Sequence, residues 1–454
     1  MRKGSADGCV NDSRLANAGS RTPGATADAL GDLLACRWRD PDSGAAVDVP
    51  IRAVAIERSL AGVEADLVRD LSFGRRFAVV CDATTQQVLG ARVARALASL
   101  GEVDPVVLDG VPDPDLATVA LVRDATATAD ALVAVGSGTI NDLCKYAAAG
   151  AGKPYVVFPT APSMNGYTSM NAAITVDGYK KSLPAKAPLG VFIDLGVLAG
   201  APLRMIQAGL GDSLCRSTAQ ADWLLSKYLR GTAYREAPFA LLAPDEAVLL
   251  DTPEALIGRD LDAVRTLART LVLSGLGMTI CGGSYPASQG EHLISHYIDM
   301  FAPARRPAYF HGEQIAVATL TMARIQEAML AGPAPRLNAG SVTREDLLEH
   351  FGNEIGEACW GEYAAKRLSG EEAEALSTQI AECWSDLGAT LAGTMIPSAT
   401  LADVMARSGC QQTPRAIGLA AKFYRRAVRD ARFLRDRYTF LDLAGDAGRL
   451  AALP

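Results

Sequence analysis

Three of the 4 histidines in this chain, His292, His296 and His311, lie in one short stretch. The first two would share one face of a helix, and Ser288 with Glu291 matches a capping box, so we expect a helix to begin near Ser288. Neutral imidazoles bind zinc, nickel and iron, and catalytic sites add a carboxylate and an open position. A lone histidine is usually an ordinary core or surface residue, but this clustering favours a metal site or catalysis.

A glycine-rich turn stands between an apolar run and a helical pattern. The run Ala131–Val135 leads directly into Gly136-Ser-Gly138. Glycines between a strand and a helix let backbone N–H groups approach a pyrophosphate, and the helix dipole favours the anion. The third glycine of the dinucleotide motif is absent, and such turns also occur for steric reasons. The order of strand, turn and helix favours cofactor binding.

Two further polar positions follow predicted strands. The loop 159–169 supplies hydroxyls and an amide after the run Tyr155–Phe158, where ligands of open α/β sheets bind, although it can also be a simple polar turn. Asp82 ends the run Phe77–Cys81. Its carboxylate either binds an adenosine ribose, which favours NAD over NADP, or caps the following helix. These two interpretations of Asp82 stay open.

The elements that position these residues fall into two groups. Over residues 46–195, short apolar runs alternate with helical patterns, which predicts a doubly wound parallel sheet, an α/β nucleotide-binding domain. Within it, Ala172–Val176 and Gly190–Asp194 are predicted to form a β-hairpin. Residues 196–454 show helical spacing and predict an all-α domain for metal and substrate. Residues 1–45 are rich in Gly, Ala, Ser and Asp and are expected to be a flexible extension.

Composition excludes several classes of function. The net charge of −7 offers no basic surface for nucleic acid or an anionic membrane. The 9 cysteines contain no CxxC pair, which indicates reduced thiols and a cytoplasmic protein. No apolar run reaches the roughly 20 residues of a membrane span, and the N-terminus lacks the apolar core of a signal peptide.

Several segments together resemble a known family. They are Gly-Ser-Gly-Thr-Ile-Asn-Asp at 136–142, Pro-Thr-Ala-Pro-Ser-Met-Asn-Gly-Tyr-Thr-Ser at 159–169, Ala-Gly-Leu-Gly-Asp at 208–212, Tyr-Pro-Ala-Ser-Gln-Gly-Glu-His at 285–292, Phe-His-Gly-Glu-Gln at 310–314 and Arg-Asp-Arg-Tyr-Thr at 435–439. In this order they resemble the sn-glycerol-1-phosphate dehydrogenases, within the superfamily of iron-containing alcohol dehydrogenases and dehydroquinate synthases. The resemblance covers roughly residues 50 to 445.

The resemblance implies roles for individual residues. It makes Asp212, His292 and His311 the ligands of a divalent metal, and it places Asp212 and His296 at catalytic, substrate-contacting positions. The positions that it assigns to the NAD(H) or NADP(H) cofactor are Gly136, Gly138, Thr139, Ile140, Asn141, Asp142, Thr160, Ala161, Pro162, Ser163 and Ser169. At the substrate position 165 the family typically has Asp, whereas this chain has Asn165, which loses the charge.

Two positions separate close relatives within the superfamily. The iron-type alcohol dehydrogenases carry a histidine four residues after the Asp, where this chain has Arg216. Dehydroquinate synthases carry Glu in place of Asp212. The resemblance therefore implies NAD(P)H-dependent reduction of dihydroxyacetone phosphate to sn-glycerol 1-phosphate. Alternatives are a glycerol or polyol dehydrogenase acting on an unphosphorylated substrate, a cyclase that uses NAD catalytically, and a non-catalytic nucleotide-binding relative.

The implied reaction sets further expectations. The metal is expected to be zinc, with nickel or iron as alternatives. An imidazole with the ordinary pKa of about 6.5 would suit His296 as a proton relay. The substrate phosphate needs cations, and the candidates are Lys180, Lys181, Arg435 and Arg437, although lysine pairs are usually solvated. We expect a homo-oligomer, a dimer or larger, whose partners are small molecules and neither nucleic acid nor membrane.

Overall fold

The structure is a computed structural model that describes residues 28–302 and 309–452. Its strands are β1 Ala53–Glu57, β2 Arg76–Asp82, β3 Glu102–Leu108, β4 Ala131–Gly136, β5 Tyr155–Pro159, β6 Asn171–Val176, β7 Tyr179–Pro184 and β8 Gly190–Asp194. Its helices are α1 Ala29–Leu34, α2 Glu64–Arg69, α3 Ala83–Thr85, α4 Ala91–Leu97, α5 Leu116–Ala125, α6 Gly138–Ala151, α7 Leu195–Gly200, α8 Leu203–Leu214, α9 Arg216–Arg230, α10 Ala237–Asp251, α11 Leu261–Cys281, α12 Gly290–Phe301, α13 His311–Leu330, α14 Arg344–Phe351, α15 Asn353–Ala364, α16 Gly370–Thr394, α17 Ser398–Ser408, α18 Ala421–Asp430 and α19 Phe440–Asp446.

Six strands form one parallel sheet in the order β1-β8-β5-β4-β2-β3. Every residue of β4 is buried, because both faces of the sheet are covered. Leu132 and Ala134 belong to one core cluster, whereas Val133 and Val135 belong to the cluster on the opposite face. No described residue after β8 forms a strand, so the predicted architecture of a parallel α/β sheet followed by helices is confirmed.

The predicted β-hairpin has a different second strand. Strand β6 pairs in antiparallel fashion with β7, from Asn171 opposite Pro184 to Val176 opposite Tyr179. The segment Gly190–Asp194 is β8 instead, a buried strand of the parallel sheet between β1 and β5. The prediction that β8 belongs to the hairpin was wrong, because an entirely apolar run is typical of a strand covered on both faces.

The order of the strands creates a crevice at one edge of the sheet. Strands β2 and β4 are neighbours, but the chain leaves β2 toward β3 on one side and leaves β4 toward β5 on the other. Ligands of open α/β sheets bind where the connections diverge in this way, beyond the carboxyl ends of the strands. Asp82 and Gly136 end these two strands, so both stand at this crevice.

The segment before the sheet is packed over its described part. Leu30 and Leu33 of α1 are buried in the main core cluster. Asp40 is also buried and pairs with Arg235. Residues 28–45 therefore do not behave as the flexible extension that was predicted, because they bury apolar side chains. The rest of that prediction, residues 1–27, lies outside the described residues, and the division at 195 stays a prediction.

One described helix, α11, has the length and apolar composition of a membrane span. Of its most apolar window, 67% is buried inside the protein. Its residues Leu267, Leu271 and Val272 belong to the same core cluster as the sheet. The helix is therefore apolar because it forms part of the interior.

Candidate active site

Three helices bring an aspartate and two histidines together. Asp212 lies near the end of α8, His292 in the first turn of α12, and His311 at the first position of α13. The Nε2 atoms of His292 and His311 lie 3.6 and 3.9 Å from Oδ1 of Asp212. The potential ligand atoms of the three side chains all lie within 4.8 Å of one another. The sequence separates these residues widely, and the fold assembles them.

Close contact between α8 and α13 positions Asp212 beside His311. A Cβ atom on Gly312 would overlap the carbonyl oxygen of Ala208, and one on Gly211 would overlap the carbonyl oxygen of Gly312. Glycine at both positions therefore lets the two backbones touch. The position next to each glycine carries a residue of the cluster, so this contact fixes the spacing of the cluster.

The environment of Asp212 suits a bound cation. Its side chain is buried, and Oδ2 accepts a hydrogen bond from the Asn165 N–H at 2.7 Å. Oδ1, which faces both imidazoles, receives no hydrogen bond from any described residue. Burial raises the pKa of Asp212 to about 6, and His292 and the Asn165 N–H limit the rise. A buried oxygen without a donor, next to two imidazole nitrogens, matches the ligands of a divalent metal with open positions.

Glu291 orients the His292 ring. Its Oε1 lies 3.0 Å from Nδ1 of His292, and its Oε2 accepts a hydrogen bond from the Thr218 hydroxyl at 3.0 Å. Burial would raise the pKa of Glu291, but the hydrogen bond and charge of His292 and the Gln289 N–H hold it below its ordinary value. With Nδ1 donating to this carboxylate, Nε2 presents its lone pair to the cluster.

The helix begins close to Ser288 as predicted, but the predicted capping box is absent. Helix α12 begins at Gly290, and Gln289 rather than Ser288 precedes it without a side-chain cap. Asp222 accepts a hydrogen bond from the Gly290 N–H at 3.0 Å. Glu291 therefore orients the His292 ring, whereas the sequence analysis had interpreted it as part of a helix cap.

His296 lies one turn further along α12, with its ring centroid 6.4 Å from that of His292. The side chain is buried, and Nδ1 makes no hydrogen bond with a described residue. Burial, together with the positive charges of Arg435, His292 and other neighbours, lowers the pKa of His296 well below its ordinary value. This shift favours the neutral ring and differs from the ordinary imidazole pKa that was expected.

A hydrogen-bonded chain supports His311 from the side opposite Asp212. The Ser295 hydroxyl lies 3.3 Å from Nδ1 of His311 and donates to the Gln314 side-chain oxygen. Gln314 in turn donates to Asp299 at 2.8 Å. Desolvation and the charges of His292 and Lys180 lower the pKa of His311 well below its ordinary value.

A cavity of about 610 Å³ opens at the crevice of the sheet. Its lining includes residues at or just beyond the carboxyl ends of β2, β4, β5 and β8, among them Asp82, Ser137, Thr160, Ala161 and Asp194. Oδ1 of Asp82 accepts a hydrogen bond from the Thr85 N–H at 2.8 Å, in a capping box. Asp82 thus caps a helix and lines the cavity at the same time, so the two interpretations are compatible. The sequence did not indicate Ser137 or Asp194.

The other predicted cofactor positions differ in whether their side chains or only their backbone atoms could reach a ligand. Gly136 and Gly138 form the turn into α6 as predicted. The side chains of Ile140 and Asn141 are fully buried, so only backbone atoms at these positions could reach a ligand. The Ser169 hydroxyl donates within its own loop. Four predicted positions remain. Thr139 and Asp142 lie on α6, and Pro162 and Ser163 lie in the loop after β5.

Lys145 is a buried cation that the sequence did not single out. Its Nζ donates to the carbonyl oxygens of Gly166 at 2.6 Å and Asn171 at 3.0 Å, and to the Ser169 hydroxyl at 3.1 Å. Burial lowers the pKa of Lys145 to about 8, and Asp142 opposes the shift. The amine therefore holds together the loop that carries Asn165, whose N–H binds Asp212.

The candidate phosphate-binding cations occupy different environments. Arg437 donates to the Ser288 carbonyl and to the Ser284 hydroxyl, so it fastens the segment before α12. Lys181 lies over the Tyr179 ring at 5.6 Å and lines a second pocket together with Arg435. The positive charges of Arg435 and Lys180 both help to lower the pKa of His296.

Arg216, the position that separates the iron-type enzymes, points away from the cluster. Its Nε donates to Glu246 at 2.7 Å, and its Nη2 pairs with the same carboxylate at 2.7 Å. Among the described residues, Asp212, His292 and His311 form one group of potential metal ligands. Cys215, Glu291 and His292 form a second group that shares His292 with the first.

Comparisons with known proteins identify relatives of this chain. A sequence profile of iron-containing alcohol dehydrogenases matches residues 55–202. The chain is 35% identical over 274 residues to the glycerol-1-phosphate dehydrogenase (NAD(P)+) of Pyrococcus furiosus, covering 60% of this chain and 78% of that protein. It is 33% identical over 262 residues to the enzyme of the same name from Bacillus licheniformis, covering 56% of this chain and 65% of that protein. The match thus spans just under two thirds of the length of the bacterial relative.

The fold also has solved counterparts. A probable glycerol dehydrogenase from Sinorhizobium meliloti superposes with a TM-score of 0.59 at 18% identity, covering 88% of this chain and 95% of that one. At this identity the likeness concerns the fold alone. The extent and identity of the match to the Pyrococcus furiosus protein identify the family, and the chain belongs to the glycerol-1-phosphate dehydrogenases.

Proposed function

We propose that this protein is a metal-dependent oxidoreductase that reduces dihydroxyacetone phosphate to sn-glycerol 1-phosphate with NADH or NADPH, and catalyses the reverse reaction. The observation that carries the proposal is the convergence of Asp212, His292 and His311. Oδ1 of Asp212 is buried among them and accepts no hydrogen bond from a described residue. The cavity at the crevice of the sheet, beyond the carboxyl ends of the parallel strands, supports a dinucleotide cofactor. The activity named for the relatives supports the choice of substrate.

Different residues of the chain would bind the metal and orient the substrate. Asp212, His292 and His311 would hold the metal, which we take to be zinc, with nickel or iron as alternatives. With both groups bound, Lewis acidity comes from the ion and the hydride from the reduced nicotinamide. Asn165 would orient the substrate, because its backbone already contacts Asp212.

His296 would handle the proton. The ring is buried on the same helix as His292, and its Nδ1 has no described partner. Because its pKa is lowered well below the ordinary value by burial, it would act as a neutral imidazole that passes on a proton from water rather than store one. This role differs from that of His292 and His311, which would hold the ion.

Metal content and product stereochemistry test the proposal together. The purified protein should contain about one divalent ion per chain, and dihydroxyacetone phosphate with NADH should yield the sn-1 enantiomer of glycerol phosphate. Reduction of dihydroxyacetone in preference to its phosphate would instead establish the polyol dehydrogenase alternative. Absence of both metal and turnover would support a non-catalytic relative.

Variants of three of the 4 histidines separate their roles. His311→Ala should lose the metal, whereas His296→Ala should keep the metal and lose turnover. His350→Ala is the matched control, because that ring pairs with Asp430 on a distant helix. If His311→Ala kept full metal content and rate, the ligand assignment would be wrong.

A further inference from the structure

We propose that Asp222 is a positioning residue of the metal cluster: from α9 it fixes the first turn of α12, and thereby the place of His292 beside Asp212. This inference rests on the proposed function, because it concerns the affinity of the same site for its metal. Asp222 does not belong to either group of potential metal ligands in the described part of the chain. It therefore acts through the backbone of α12.

One face of α9 contacts the segment that carries His292. Cys215, Thr218 and Asp222 follow one another at intervals of three and four residues, which places their side chains on one side of a helix. The Cys215 thiol contacts the Ala287 carbonyl oxygen at 3.5 Å, and the Thr218 hydroxyl donates to Glu291 at 3.0 Å. Asp222 is the third contact of this face and the one that reaches the backbone of α12.

Helix α12 depends on Asp222 for its first N–H group. The residue before the helix, Gln289, provides no side-chain cap. The first N–H groups of a helix have no partner within the helix itself. Oδ2 of Asp222 accepts a hydrogen bond from the N–H of Gly290, the first residue of α12, at 3.0 Å. A carboxylate from another helix thus replaces the missing cap.

Both oxygens of the Asp222 carboxylate accept hydrogen bonds, and the side chain is fully buried. Oδ1 accepts the N–H of Phe440, the first residue of α19, at 2.9 Å and the side-chain amide of Gln326 on α13 at 3.2 Å. The side chain therefore joins α12, α13 and α19. Because all three donors are N–H groups, an amide in place of the carboxylate would turn its own NH₂ toward at least one of them.

Gly290 leaves room for this carboxylate. A Cβ atom on Gly290 would lie 2.8 Å from Oδ2 of Asp222 and 2.5 Å from the methyl carbon of Met322. Both distances are shorter than van der Waals contact, so a side chain at this position would displace the carboxylate. The absence of a side chain at residue 290 therefore lets Asp222 approach the backbone at the start of α12.

The hydrogen bond to Gly290 links two of the proposed ligands. Only Cys215 separates α8 from α9, and its dihedral angles of φ −62° and ψ −19° are helical. The backbone thus leads from Asp212 to Asp222 without an intervening loop. Because His292 lies two residues after Gly290, Asp222 fixes the distance between His292 and Asp212, whereas the glycine contact between α8 and α13 fixes His311.

Asp222→Asn in the full-length protein tests the inference through zinc affinity, measured with a competing chelator. We expect the Kd for zinc to rise by about 10-fold or more, as is typical when the groups behind metal ligands are changed. The cobalt-loaded variant should also have an altered visible spectrum, because the d–d bands of cobalt depend on the arrangement of its ligands. Gln326→Leu keeps both backbone hydrogen bonds of Asp222 and should leave the zinc affinity within about 2-fold.

Asp442→Asn is the control for a purely structural role. Asp442 is also buried, accepts the Thr439 N–H at 2.9 Å and pairs with Lys366 at 2.9 Å. None of its hydrogen bonds with described residues reaches α12. This variant should lower the midpoint of urea denaturation at least as much as Asp222→Asn, while its zinc affinity and cobalt spectrum stay those of the wild type. Equal losses of zinc affinity in the two variants would show a general effect of stability and overturn the inference.

Two further outcomes distinguish this inference from the proposed function. Zinc affinity and a cobalt spectrum unchanged in Asp222→Asn would overturn the positioning role alone. A wild type that bound no zinc would instead overturn the proposed function, and the inference with it. Should Asp222→Asn fail to fold, Gly290→Ala displaces the same carboxylate from the opposite side and should also weaken zinc binding. Unchanged zinc binding in Gly290→Ala would then contradict the inference.

Discussion

Oε1 of Glu291 lies 3.0 Å from Nδ1 of His292, and both side chains are buried. This contact fixes which nitrogen of the ring faces Asp212. Glu291 itself accepts hydrogen bonds from the Thr218 hydroxyl and the Gln289 N–H. The orientation of the His292 ring therefore depends on residues of both α9 and the segment before α12. A residue that touches no substrate can thus control the affinity for the metal.

The first prediction concerns this carboxylate. Glu291→Gln removes the negative charge behind His292 while keeping its shape, and it should weaken metal binding by about 10- to 100-fold. Competition with a chromophoric chelator measures the effect. Thr218→Val removes the hydroxyl that contacts the other carboxylate oxygen but keeps the charge of Glu291, so it should weaken metal binding less. Equal metal affinity in Glu291→Gln and the wild type would mean that the carboxylate does not tune the histidine.

The second prediction concerns the glycine contact between α8 and α13. Gly312→Ala would force the helices apart, because the new Cβ overlaps the Ala208 carbonyl. We expect a loss of about 1–3 kcal/mol in the free energy of unfolding and a lower metal content. Gly388→Ala is the control, since nothing lies within 4 Å of its Cβ. That substitution within α16 should stabilise the protein by up to about 1 kcal/mol. Urea denaturation would measure both, and a neutral Gly312→Ala would contradict the spacing argument.

The parts of the fold with regular patterns could be predicted from the sequence. The run Ala131–Val135 is apolar throughout because both faces of the sheet are covered, and the glycines after it mark the turn. Strand β1 was missed because Ala53–Glu57 lies at the edge of the sheet and most of its residues are only partly buried. Strand β7 was misassigned because Lys180 and Lys181 interrupt its apolar pattern.

The candidate site could also be predicted only in part from the sequence. Three clustered histidines indicated a metal site, but no spacing reveals that Gly211 and Gly312 touch across α8 and α13. Lys145 was overlooked because lysine is almost never fully buried, and only tertiary structure shows its three acceptors. Long-range contacts of this kind depend on the packing of elements distant in the chain.

The third prediction concerns cofactor preference. Asp82→Asn keeps a side-chain oxygen for the Thr85 N–H, so the helix cap and stability should survive. Removing the charge from the cavity should raise the ratio of kcat/KM for NADPH over NADH by about 10-fold, since the carboxylate would repel a 2′-phosphate. Steady-state assays with both cofactors measure the ratio. An unchanged ratio, with the cap intact, would restrict Asp82 to its capping role.

The fourth prediction uses pH to detect the buried amine of Lys145. Burial lowers its pKa to about 8 from the ordinary lysine value of 10.5, so between these values the unfolded chain binds more protons than the folded one. The stability contributed by this group therefore rises with pH in that window and is at its lowest below pH 8. The free energy of unfolding of the wild type relative to Lys145→Met should increase by about 1 kcal/mol from pH 7 to pH 9.

Lys153→Met is the matched control for this measurement. Lys153 also donates to two carbonyl oxygens, those of Thr126 and Ala127, but it is partly exposed at the surface. Because water can solvate its charge, the difference between the wild type and this variant should change little over the same pH range. Urea denaturation of the wild type and both variants at the two pH values gives the free energies of unfolding to be compared. If Lys145→Met showed the same flat response as Lys153→Met, the amine would be solvated in the folded protein, and the loop that carries Asn165 would need another explanation for its position.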